Sequence, residues 1–173
     1  FEYMTTTGQI NRLRQFVLDR ELGSVSLIGS SYGGLIALHY AHRFGGVERM
    51  LLLAPGLRWL NGGLSQAEPE HWRHRGSVPV FQPAFGEEIS IRYELQQDGL
   101  GYLAFIPPPA PVLIIHGQHD STVPVEHSRG YTADYPDSVD LIEVDADHDL
   151  NGYLDLIWGC VQRFLLDGSA GGE

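Results

Sequence analysis

The stretch SVSLIGSSYGGLIALHYAHRF, Ser24 to Phe44, passes from an apolar run through a serine between glycines into residues with helical spacing. SVSLIG reads as a short buried strand and GGLIALHYAHRF as the helix that follows it. Between them Gly29, Ser31 and Gly33 make a Gly-x-Ser-x-Gly pattern. In a chain this rich in glycine that pattern arises by chance about one time in ten, so Ser31 is a nucleophile only if partners for it occur elsewhere. A sharp strand-to-helix elbow forces its central residue into a strained backbone conformation, and flanking side chains larger than hydrogen collide with it. Gly29 and Gly33 are the residues expected in those two slots.

Upstream, TTTGQINRLRQFVLDREL places Ile10, Leu13 and Val17 on one stripe of a helix, with Thr6 or Thr7 as its cap. Downstream, VERMLLLAP, PVLIIHG and VDLIEVD read as further apolar strands, and helical segments are expected near 125–135 and 153–166. Strands separated by helices imply parallel pairing, and near-continuous apolar strands imply a sheet covered on both faces. The expected fold class is α/β, a parallel sheet with helices on both faces in one domain. The interval of about 56–106 breaks this rhythm with Gly, Pro, Trp and His. Within it Ile89, Ile91, Tyr93 and Leu95 alternate with polar residues, which predicts a β-hairpin with SVPVF in a small cap insertion. The aromatics Trp59, Trp72, Phe81, Phe85, Tyr93, Tyr102 and Phe105 are expected to form the cap's own core, some of them facing a pocket over Ser31. The tail from about 168 to 173 reads as flexible.

A serine hydroxyl needs a base to take its proton and an acid to orient that base. IIHGQHDSTVP places Asp120 just beyond one strand, and IEVDADHDLNGY places His148 just beyond the next. Parallel strands bring both loops to the sheet edge that carries Ser31, where open α/β sheets bind ligands. The elbow, the HGQHDSTVP element and the ADH element, in the order serine, aspartate, histidine, resemble the alpha/beta-hydrolase superfamily. The chain is most similar to its small acyl-ester hydrolases, whose short cap follows a strand ending as LLLAPG does here. The resemblance covers about residues 24–55 and 111–166. It implies Ser31 as nucleophile, His148 as general base and then acid, Asp120 as the group fixing the imidazole tautomer, and the Tyr32 backbone N–H as an oxyanion donor. It also implies a serine esterase working through an acyl-enzyme on a small-molecule ester, without a cofactor. The alternatives are a thioesterase or acyltransferase, and a non-hydrolytic binding member of the same fold. The family's second oxyanion donor comes from a loop after an earlier strand. No such upstream segment stands in this sequence, so the expectation is a fragment of a longer chain, weakly active and exposing SVSLIG as a sheet edge.

Composition narrows the remaining classes. The 173 residues are 43% hydrophobic and carry a formal charge of −11, from 22 acids against 11 bases. That balance repels a phosphate backbone, so nucleic acid is not expected as a partner. All the bases are arginine, which removes lysine Schiff-base and P-loop chemistry. The single cysteine, Cys160, sits in an apolar helical stretch and reads as a buried thiol. No apolar run is long enough to span a membrane, and a cytoplasmic location is expected. His116, His119, Asp120 and His148 offer metal-ligand chemistry, as do His71 and His74 in HWRHR. Their positions beside the acid loop and in the cap favour roles other than coordination, and no metal is expected.

Overall fold

A computed structural model describes residues 4–58, 69–82 and 86–166. Four parallel strands form its main sheet: β1 (Val25–Ser30), β2 (Val47–Leu53), β5 (Val112–Gly117) and β6 (Val139–Val144), in the order β1-β2-β5-β6. β3 (Ser77–Gln82) and β4 (Glu87–Arg92) pair antiparallel in a separate two-stranded sheet. The helices are α1 (Thr6–Asp19), α2 (Tyr32–Phe44), α3 (Pro69–Arg75), α4 (Glu94–Gly99), α5 (Glu126–Asp134) and α6 (Leu154–Cys160). A 3₁₀ turn, Asn151–Tyr153, leads into α6, and a π-helical turn, Val161–Leu166, continues it.

The alternation of strand side chains divides the core between the two faces of the sheet. Met50, Leu52, Val112, Ile114 and Val139 pack with Ala37 and Leu38 of α2 and Tyr131 of α5. Leu51, Leu113, Ile115 and Val144 pack on the opposite face with Cys160 and Phe164. Both faces are therefore covered, which is why β5 is buried along its whole length. Cys160 is one of the buried residues of that second layer. β1 lies at one margin of the sheet among the described residues, and Ile28 on it is 55% exposed.

The expected stripe of α1 is present, with Ile10 and Val17 buried. Its cap differs from expectation. Thr5, one residue earlier, is the extended N-cap whose Oγ1 accepts from the Gly8 N–H. Thr7 instead gives its N–H and hydroxyl to Asp98 of α4, at 2.7 and 2.6 Å. In the hairpin, Val78 faces Ile91 and Val80 faces Ile89, as the alternation predicts. The strand ends at Arg92, however, and Leu95 is buried from α4 rather than from a strand. Trp72, Val78, Ile91 and Leu95 form a small cluster with Tyr93 against it, and the Trp72 indole N–H donates to the Ile91 carbonyl. Tyr102 stacks edge-on with His39, Phe105 packs on Tyr131, and Phe81 is exposed. Among the described residues, only Trp72 and Tyr93 of the expected cap aromatics therefore belong to this cluster. Trp59, Phe85 and the tail lie outside the described residues. No described helix is long and apolar enough to cross a membrane.

Candidate active site

Ser31 stands between β1 and α2 with φ 51 and ψ −119, a region in which a residue with a β-carbon is strained. Backbone bonds hold it there. Its N–H donates to Leu53 O at the end of β2, and its carbonyl accepts from the N–H groups of Gly34 and Gly56. A β-carbon on Gly29 would sit 2.5 Å from the Gly33 carbonyl oxygen, so glycine is required there. Gly33 is different from expectation, because a β-carbon on it would meet no neighbouring atom within 4 Å. The second tight position is Gly34, whose β-carbon would lie 2.7 Å from Pro55 Cβ. The elbow is thus squeezed against the exit of β2, a contact between distant segments.

The two partner loops meet Ser31 from β5 and β6. His148 Nε2 lies 3.0 Å from Ser31 Oγ, and its Nδ1 lies 2.7 Å from Asp120 Oδ2. Asp120 is buried, and its Oδ1 accepts from the N–H groups of Thr122 and Val123. Gly117 brings the acid loop and the histidine loop together. A β-carbon on it would run into the carbonyl oxygens of Ala146 and Asp147, and the next two N–H groups, of Gln118 and His119, donate to Val144 O and Ala146 O. With a carboxylate accepting at Nδ1, that nitrogen carries the ring proton and Nε2 is left basic toward the hydroxyl.

A serine oriented toward a basic imidazole, itself fixed by a buried carboxylate, can attack an electrophilic carbon. The fold that carries this arrangement recurs among solved proteins. The chain is similar to mouse alpha/beta hydrolase domain-containing protein 10 (22% identity, TM-score 0.75), covering 96% of this chain and 72% of that one. It is similar to Est1E from Butyrivibrio proteoclasticus with ferulic acid bound (19%, TM-score 0.79, 96% and 70%). It also resembles the monoacylglycerol lipase of Paleococcus ferrophilus (15%, TM-score 0.77, 97% and 77%). The fold is that of the alpha/beta hydrolases. Residues 2–164 match the profile of UPF0227, described as an uncharacterised protein family. The chain belongs to the UPF0227 family. No curated protein sequence matches it significantly.

Other polar residues of this UPF0227 chain are placed away from the serine. The Tyr32 hydroxyl donates to Thr6 Oγ1 at the start of α1, and burial pushes its phenol well above the usual range. Tyr32 thus ties α2 to α1 through its side chain, while its backbone opens the helix next to Ser31. His119 is exposed and pairs with Asp145 at 2.7 Å. His116 is fully buried and already bonded at both ring nitrogens, to Ser128, Asp120 and Val123. These histidines do not converge on a common point, and among the described residues no group of three or more ligand-type side chains is poised for a metal. His71 and His74 lie on exposed positions of α3. His116, considered from its spacing as a metal ligand, is instead a buried hydrogen-bond partner of Asp120, and its place at the end of an apolar strand rather than in the loop is the signal for that burial.

Proposed function

We propose that this protein is a serine hydrolase that cleaves a carboxylic ester of a small or medium acyl group through a covalent acyl-enzyme. The observation that carries the proposal is the continuous hydrogen-bonded chain Ser31–His148–Asp120, with links of 3.0 and 2.7 Å. The monoacylglycerol lipase, whose name describes ester chemistry, and Est1E, with a carboxylic acid bound, lend support through a common fold.

In this reading Ser31 Oγ attacks the ester carbonyl carbon as its proton passes to His148 Nε2. The carbonyl π electrons move to oxygen, and the resulting oxyanion is met by the Tyr32 backbone N–H at the positive end of α2. Collapse of the tetrahedral intermediate expels the alcohol, whose oxygen takes the proton back from His148. Water then repeats the sequence: its proton goes to His148, its oxygen bonds to the acyl carbon, and Ser31 leaves with that proton as the acid is released. Asp120 holds the imidazole tautomer and stabilises the imidazolium formed in each half.

A fluorophosphonate probe is expected to label wild-type protein at Ser31, and a short-chain aryl ester to give a burst of phenol equal to the labelled sites. Ser31→Ala and His148→Ala are each expected to lower kcat at least about a thousandfold. A folded Ser31→Ala protein with full activity would remove the proposal.

A further inference from the structure

Asp120 Oδ2 is shared by two imidazoles. His148 Nδ1 approaches it at 2.7 Å from the side of Ser31, and His116 Nε2 approaches at 3.1 Å from inside the sheet. His116 lies on β5, four residues before the acid, and is fully buried. Its Nε2 also faces the Val123 carbonyl at 2.9 Å. Both groups opposite Nε2 are acceptors, so this nitrogen must carry a proton and share it between them. In the neutral ring Nδ1 is then an acceptor, and it takes the hydroxyl proton of Ser128, which is 2.7 Å away and also fully buried. Asp120 and the Val123 carbonyl thereby select the tautomer of His116, as Asp120 selects that of His148, and Ser128 on α5 holds the ring by its other nitrogen.

We infer that His116, oriented by Ser128, is a positioning residue that fixes the Asp120 carboxylate for its work on His148; this rests on the ester-hydrolase reading of the site. The hydrogen bonds at Asp120 explain why. Oδ1 accepts two backbone N–H groups, and Oδ2 accepts one imidazole from each side. A carboxylate has about four acceptor positions, so all are filled and the plane of the group is pinned. With only the two bonds at Oδ1 and His148 itself, the carboxylate keeps a pivot about its Cβ–Cγ bond. His116 removes that pivot from a site where water, the usual substitute donor, has no access, since the Asp120 side chain is fully buried. His116 touches neither Ser31 nor the reacting ester, so its effect belongs in kcat rather than in substrate binding.

The test compares His116→Leu, His116→Gln and Ser128→Ala with wild type on one aryl ester, with folding checked by far-UV dichroism. The glutamine amide places an N–H₂ near the position of Nε2 and can donate to both Asp120 and Val123. His116→Leu is expected to lower kcat about ten- to thirtyfold with KM within about twofold. His116→Gln should recover to within about threefold of wild type, and Ser128→Ala should lose about threefold. A folded His116→Leu with wild-type kcat, or a His116→Gln as impaired as His116→Leu, overturns the inference. Nitrogen-15 spectra of the imidazoles supply a readout independent of turnover: His116 should be protonated at Nε2, and protonation at Nδ1 alone overturns it. If Ser31→Ala keeps its activity, the ester-hydrolase reading fails by itself, and the spectra still decide the tautomer of His116.

Discussion

At the scale of single residues, much of the site depends on which β-carbons are absent. Gly33→Ala adds a methyl group into open space and should leave both stability and ester turnover close to wild type. Gly29→Ala and Gly117→Ala push a methyl group into backbone that cannot retreat, so each should lower the urea midpoint and turnover together. Parallel denaturation curves and initial rates on the three variants check this. His39 provides a different test. Burial holds its ring below the usual histidine range, while its Nε2 bonds the Leu103 carbonyl. The unfolded chain therefore binds a proton at a pH where the folded chain does not. The stability this group contributes is fully present above the unfolded value of about 6.5 and is lost as pH falls from there toward the depressed folded value. His39→Gln keeps a donor for Leu103 but does not titrate. Its urea midpoint should fall less than that of wild type between pH 7.5 and pH 5.5; parallel falls would show that His39 is not the group involved.

At the scale of elements, α1 is fastened by a side chain from far along the chain. Asp98 accepts from the Thr7 N–H and hydroxyl, and the Thr7 hydroxyl also lies 2.7 Å from Tyr102 Oη. A carboxylate at a helix start satisfies an otherwise unpartnered donor and lies favourably in the helix dipole. Asp98→Ala should therefore cost about 1–2 kcal/mol, read as a lower midpoint in urea. The strands, the elbow and the order of Ser31, Asp120 and His148 were legible because each rests on local spacing. Apolar runs mark buried strands, and the residues just past them must lie on one sheet edge. Thr5 as cap, Gly34 as the tight glycine and His116 as a partner of Asp120 were not. Asp98 takes up Thr7, Pro55 presses on Gly34, and Ser128 on α5 engages His116, contacts made by side chains that no strand or helix spacing points to. The break of the last helical segment into a 3₁₀ turn, an α-helix and a π turn was likewise invisible, since its apolar spacing reads as one continuous helix from 153 to 166.

At the scale of the molecule, the proposed site is strung across the sheet rather than housed in one corner of it. Ser31 follows the marginal strand β1, Asp120 follows β5, and His148 follows β6, while β2 between them anchors both Ser31 and the elbow glycine Gly34 through Leu53 and Pro55. All four strands thus take part in holding three side chains. In the proposed site, a form that has lost any one of these four strands is expected not to react. Fraying of β1 moves the serine, and loss of β6 removes the proposed base, so reactivity is expected to report the cooperativity of the main sheet. In a urea titration, fluorophosphonate labelling of Ser31 should disappear with the same midpoint as the far-UV signal. Labelling that vanished at distinctly lower urea would instead mark β1 as a separate, weaker folding unit. On the proposed reading, a serine that reacts only when all four strands of the main sheet are in place makes the chemistry itself a gauge of how completely that sheet has folded.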